Sequence, residues 1–305
     1  MSRVTTSERQ PRAAERPRPE APPTGPSAPS AKPVIEVVGG PGGVSRDALR
    51  ELWLFRDVLW AFVLRNVKAR YKQAALGIGW AVIQPVLAAA LFALFLGRFA
   101  HVSTGGVPYL LSALVGMSAW TFFSSAASSS ALSLTTNQSM LKKIYFPREI
   151  MPLSSIVASL LDLAIGFGVV VVAAALYGRY VALAYVALPL PVVLLVLTAV
   201  AFGVGLSAVN VYYRDVGYAL PFLLQVGIFA TPVAYPVTVV PEHLRTWYLI
   251  LNPLAASIDG LRRVFIHGDW PAWGPTIAAL AWVSVLALLS YALFKRLERG
   301  LSDRV

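Results

Sequence analysis

The chain has 305 residues, of which 57% are hydrophobic and only 13% charged, against about 45–50% and about 25% in a typical soluble domain. Its 26 Lys and Arg outnumber 15 Asp and Glu, a net charge of +11, yet so few charges cannot coat a soluble nucleic-acid binder, and the chain reads as an all-α membrane protein. The absence of cysteine excludes a disulfide scaffold, and His101, His243 and His267 share no ligand spacing that would point to a metal centre.

Residues 1–50 carry nine of the 22 prolines and eight basic side chains. Residues 1–49 therefore read as a disordered cytoplasmic tail, solvated or brushing anionic headgroups, and residues 50–305 as the folded membrane domain. The tail has no apolar run of the kind a secretory signal needs. Residues 52–64 are apolar apart from Arg56 and Asp57, but fall short of the roughly 20 residues that cross a bilayer. Trp53, Trp60 and Leu64 share one side at helical spacing, which predicts an interfacial helix along the cytoplasmic leaflet. Arg65, Lys68, Arg70 and Lys72 follow as a basic run at the membrane surface.

Beyond Lys72, six windows are nearly free of charge and each is long enough to span: residues 73–97, from about 109 to 141, 150–178, 181–211, 216–241 and 273–294. Pro189 and Pro191 are expected to kink the fourth. With both termini inside, twelve basic residues near the spans face the cytoplasm and five face outward, as the positive-inside rule prefers. Residues 242–269 are too charged to cross and too apolar for a free loop. Asn252-Pro253 divides them into two short pieces, read as re-entrant helices dipping into the outer leaflet, with Arg262 and Arg263 near headgroups or a pathway exit.

No GxxxxGK[ST] loop is present to cradle phosphate, and no nucleophile–base or paired-carboxylate arrangement marks a catalytic centre. Asp162 is the one acid well inside a span, which fits either transport or hydrogen bonding within the bundle. Serines 124, 125, 128, 129, 130 and 133 give the second span a small face, fit for close packing or for a wet lining. Residues 137–149 form a short cytoplasmic connection in which Tyr145-Phe146 is halted by Pro147. It is either an exposed aromatic knob for docking a protein or an ordinary basic loop. Arg214-Asp215 ends the fourth span, as a pair or as a boundary marker.

These residues resemble a known family. Arg70-Tyr71-Lys72-Gln73 with Leu76-Gly77 and Trp80, the run Leu141 to Glu149 (LKKIYFPRE), Tyr213-Arg214-Asp215, Thr231-Pro232-Val233-Ala234-Tyr235-Pro236, Leu251-Asn252-Pro253-Leu254 and Phe294-Lys295-Arg296-Leu297-Glu298-Arg299 stand in the order found in permease subunits of type-2 ABC exporters of O-antigen, capsule and teichoic acid. The resemblance covers residues 50–305, and Thr231 stands where the family often has Ser. It implies a homodimeric permease in the bacterial inner (plasma) membrane, bound to two copies of a cytoplasmic ATP-binding cassette subunit that holds the ATP and Mg. A lipid-linked glycan would be the substrate, and this chain itself would hold no cofactor. It further implies ATPase coupling through Lys142, Lys143, Tyr145, Phe146, Pro147, Arg148 and Glu149, and a headgroup entrance at Arg70, Tyr71, Lys72 and Gln73. Arg214, Asp215, Tyr235, Asn252, Pro253 and Arg262 would form the pathway or gate, and Trp120, Phe122, Phe123 and Tyr235 would stack on sugars. A permease of the same architecture for a drug or small lipid predicts no Tyr-Phe-Pro-Arg-Glu loop, and a membrane glycan transferase predicts clustered acids or histidines at a membrane face.

Overall fold

The computed structural model describes residues 46–72, 76–101, 106–141, 146–179 and 182–298, and among these every regular element is helical. The tail expected over residues 1–49 lies outside them through residue 45, and α1 (Arg46–Leu54) begins inside that stretch. After a break at Phe55 comes α2 (Arg56–Tyr71). The first span, Gly77–Phe99, is composite: a 3₁₀ turn, α3 (Trp80–Phe92) containing Pro85, and a π turn to Phe99. α4 (Tyr109–Thr136) leads to the short α5 (Gln138–Leu141), and α6 (Ile150–Leu176) follows the connecting loop. α7 (Pro189–Tyr212), α8 (Asp215–Ala230), α9 (Glu242–Leu251), α10 (Pro253–Arg262) and α11 (Trp273–Glu298) complete the chain.

Among the described residues, five helical stretches are long and apolar enough to cross a membrane: Gly77–Phe99, Tyr109–Thr136, Ile150–Leu176, Leu183–Tyr212 and Trp273–Glu298. The window predicted as the fifth of six spans, 216–241, is α-helical only as α8, with a separate 3₁₀ turn over Val237–Val239. Its 16 residues reach about 24 Å at 1.5 Å per residue, short of a hydrocarbon core about 30 Å thick. The cause is local. Pro232 forces the preceding residue out of the helical region, and Thr231 sits in extended conformation at φ −113°, ψ 144°. Pro189 and Pro191 also act differently from expectation. They start α7 after a 3₁₀ turn over Ala182–Ala187 instead of kinking a longer helix, because proline at the first helical position loses no hydrogen bond.

α4 is the central helix, packed by α3, α6, α7, α8 and α10. Part of its serine face packs: Ser130 and Ser133 are buried, while Ser124, Ser125, Ser128 and Ser129 are half-buried. Ser130 faces Gly203 of α7, and Ser118, outside that set, faces Gly166 of α6, where a β-carbon on either glycine would come within about 3 Å. Trp120, Phe122 and Phe123 are buried in the same core, with Phe123 edge-on to Phe202. They are packing residues and offer no face to a sugar. Trp53, Trp60 and Leu64 remain exposed on one side of α1 and α2. The opposite side, with Phe55, Val58, Leu59 and Phe62, packs on Phe146, Ile150, Met151 and Phe294. That cluster gathers α2, the start of α6 and the ends of α4, α7 and α11 into one terminal end of the bundle. At the opposite end, the expected division at Asn252-Pro253 is present: α9 is mostly exposed, and every residue of α10 is buried.

Candidate functional site

Three polar constellations interrupt this apolar fold. The first lies at the terminal end. Phe146, read as part of either an exposed knob or an ordinary basic loop, is buried against Phe62 with ring centroids 5.4 Å apart, and Pro147 is buried beside it. An aromatic side chain ahead of a helix start loses less by joining the core than by facing water, so the loop's base belongs to the bundle. Glu149 is 0% exposed. Lys295 Nζ of α11 lies 2.9 Å from one of its carboxylate oxygens, and the Tyr291 hydroxyl donates to the other at 3.2 Å. Lys295 also reaches Glu298 at 3.0 Å, Arg148 donates to the Glu298 carbonyl at 3.1 Å, and Tyr212 of α7 donates to the Leu297 carbonyl at 2.8 Å. Burial, with Glu149 nearby, raises the Glu51 carboxyl above its ordinary range. Lys142, Lys143 and Tyr145 lie outside the described residues.

The second constellation joins α2 to α6, which run side by side in the same direction. Asn66 donates to Ser154 and Ser155 at 3.4 and 3.5 Å; one turn on, Arg70 and the Tyr71 hydroxyl both donate to the Asp162 carboxylate, and Arg70 reaches Ser159 at 3.3 Å. Burial first, and then the hydrogen bond to Asp162, push the Tyr71 phenol up to about 12, so it stays a proton donor at neutral pH. Asp162 thus has a basic partner, on α2, which is not one of the span-length helices. Arg70 and Tyr71 turn inward to it, while Lys72 remains exposed and Gln73 lies outside the described residues.

The third lies at the opposite end, where α8 breaks. The carbonyls of a helix C-terminus and of an irregular buried turn have no backbone partner and need donors from elsewhere. Side chains supply them in series. Tyr235 donates to the Phe229 carbonyl at 2.8 Å, and Tyr248 and Asn252 donate to Ala230 at 2.9 and 3.3 Å. The Arg262 guanidinium, in a residue 5% exposed, donates to Pro232 at 2.6 Å, Val233 at 2.5 Å, Tyr235 at 2.9 Å and Ser112 of α4 at 3.2 Å. The Tyr109 hydroxyl takes the Ala234 carbonyl. Asn252 also caps α10 by accepting from the Ala255 amide at 3.1 Å, and Pro253 opens that helix. Gly116 makes the approach possible, since a β-carbon there would stand 2.1 Å from the Val233 oxygen. A cleft of about 560 Å³ adjoins this clamp, with Arg245, Asp259, Arg263, His267 and Asp269 in its wall.

Residues 57–266 match the ABC-2 type transporter family. The chain belongs to that family. The matched segment of this ABC-2 chain contains the α2–α6 seam, the loop base and the Arg262 clamp, and stops before α11. Among curated relatives, the O-antigen export system permease protein RfbA of Myxococcus xanthus is 30% identical over 241 residues, covering 79% of this chain and 92% of the relative. RfbA of Klebsiella pneumoniae is 29% identical over 215 residues, 70% and 81% of the two chains. The polysialic acid transport protein KpsM of Escherichia coli is 23% identical over 247 residues, 79% and 93%.

Of the residues singled out in the ABC-2 sequence, the structure gathers Tyr235, Asn252, Pro253 and Arg262 at one place, and Phe146 to Glu149 at another. Arg214 and Asp215 stay exposed at the start of α8 with no ion pair between them, and Asp215 in the first turn suits the helix dipole. Tyr291 and Gly116 carry no signal in the sequence, and Lys295 stands in it only as part of a basic end motif, because its partner lies far along the chain: Lys295 is 146 residues from Glu149. Among the described residues no cluster of three His, Cys, Asp or Glu is placed to hold a metal.

Proposed function

We propose that this ABC-2 chain is the membrane permease of an ATP-driven exporter that moves lipid-linked polysaccharide across the bacterial inner membrane. The observation that carries the reading is that relatives named for O-antigen export and polysialic acid transport match over 92% and 93% of their own length. Two copies pair, and each binds a cytoplasmic ATP-binding cassette subunit that holds ATP and Mg, which accords with the missing phosphate loop. Both termini lie in the cytoplasm.

An apolar face supports the pairing. Leu87, Leu91, Leu94, Phe95 and Phe99 of the first span, with Tyr218, Phe222, Leu223, Val226 and Phe229 of α8, are exposed and free to meet a second copy or lipid. Docking to the ATPase falls to Lys142, Lys143 and Tyr145, with Phe146 to Glu149 anchoring the loop. Arg70, Tyr71, Lys72 and Gln73 border the headgroup entrance, and the Arg262 clamp closes the outer mouth.

Deleting the gene and extracting the surface polysaccharide tests this reading. Export of a lipid-linked glycan predicts that one surface polymer disappears and returns with the intact gene, while its lipid-linked form accumulates inside. An unchanged surface overturns it, as does ATP hydrolysis by the purified chain alone.

A further inference from the structure

We infer that Glu149 and Lys295 are positioning residues that make the last helix move with the coupling loop; the inference rests on the exporter reading above. Glu149 stands one residue before α6, so any displacement of the loop reaches α6 through the backbone. α11 has no such covalent tie. It is held to the loop base by the Glu149–Lys295 pair at 2.9 Å, the Tyr291 hydroxyl on the same carboxylate at 3.2 Å, and Arg148 on the Glu298 carbonyl at 3.1 Å. The loop base is therefore a fork with two arms, one covalent and one ionic.

The ionic arm has a defined reach. Tyr212, at the end of α7, donates to the Leu297 carbonyl of α11, and two residues later Arg214 leads into α8. A shift of the α11 terminus is thus handed to α7 and α8, the helix whose apolar face is exposed. About 24 and 18 Å from Lys295, at 1.5 Å per residue, Ala279 and Val283 of α11 pack with Leu249, Ala255 and Ala256 of α9 and α10. Those helices are fixed by the Arg262 clamp, so the far end of α11 serves as its pivot.

A charged bridge suits this role because it holds two elements together without backbone continuity. Removing one partner strands a buried charge, whereas replacing both with neutral groups of similar volume is often tolerated by the fold. The double variant Glu149→Gln with Lys295→Met consequently separates transmission from folding.

The test uses the assembled complex and cells lacking the chromosomal gene. For each variant, four quantities are measured: inserted chain, co-purifying ATPase, ATP turned over, and polysaccharide reaching the surface. The double variant is expected to insert, while polysaccharide exported per ATP turned over by the complex falls about tenfold, within the 5- to 150-fold range of ordinary coupling free energies. Lys295→Arg, which keeps the bridge, retains export. Glu298→Gln, which removes only the contact within α11, leaves export per ATP unchanged. Wild-type export by the double variant overturns the inference, and so does an equal loss in Glu298→Gln. Failure of the wild-type chain to co-purify with any ATPase overturns instead the exporter reading beneath it.

Discussion

The two ends of the bundle both bury a strong cation, and they treat it in opposite ways. At the terminal end Lys295 faces two carboxylates, one on its own helix and one on the loop base. At the opposite end Arg262 faces four carbonyls, with no carboxylate within ion-pair distance among the described residues. A carbonyl array uses the fixed planar fork of arginine and leaves nothing free to exchange. A single ammonium between two acids can trade partners at little cost in geometry. The arginine array locks a turn of backbone, and the lysine bridge ties α11 to a loop base it is not joined to by backbone. The same contrast extends to the α2–α6 seam, where the Arg70 side chain is 29% exposed and its pair with Asp162 is open to competition from water or an anionic headgroup.

Breaking the locked end has the largest expected effect. Arg262→Met leaves the carbonyls of Pro232, Val233 and Tyr235 without donors, at about 1–3 kcal/mol for each buried group. The variant is expected to lose most of its folded, membrane-inserted protein, read by the yield and thermal unfolding of the purified chain. Arg262→Lys recovers little, because one ammonium cannot reach what the fork reaches. Gly116→Ala comes next. Its β-carbon meets the Val233 oxygen and the Arg262 guanidinium, an overpacking worth about 1–3 kcal/mol, and thermal unfolding at a clearly lower temperature is the expected sign. Near-wild-type stability in either variant contradicts the clamp.

The terminal end yields smaller effects on stability and larger ones on work. Glu149→Gln leaves Lys295 its second carboxylate, so about 2 kcal/mol is expected, below the 3–5 kcal/mol of a fully stranded buried charge. The Asp162→Asn change at the half-open seam costs about 1 kcal/mol. It is expected to loosen α2 without unfolding the bundle, read as faster amide exchange across residues 66–71. Exchange as slow as in the wild type refutes the seam's role in holding α2.

The fold was largely legible in the sequence wherever charge was the signal. Charge-free windows located every long helix, and Asn252-Pro253 marked the junction of α9 and α10 because proline can begin a helix but not continue one. The fifth window is α-helical over only 16 residues for a related reason. Apolar composition predicted a span through Pro232, but one proline set the end of α8, and composition does not register a single broken hydrogen bond. The candidate site was half legible. Asp162 stood out as the one acid inside a span and Arg262 as a cation near headgroups or a pathway exit, yet what each faced depended on partners 92 and 30 residues away. Phe146 illustrates the limit: its position in the loop was evident, and the neighbour that buries it, Phe62, was not.

Distances within one labelled protomer test the contrast between the ends most directly. The natural chain contains no cysteine, so spin labels go only where cysteines are introduced. One pair, Thr238→Cys with Trp247→Cys, reports the clamped end; the other, Leu64→Cys with Tyr218→Cys, reports the terminal end. When the assembled complex is trapped with ATP, the terminal-end distance is predicted to shift while the clamped-end distance stays constant. A shift at the clamped end with a still terminal end contradicts the account.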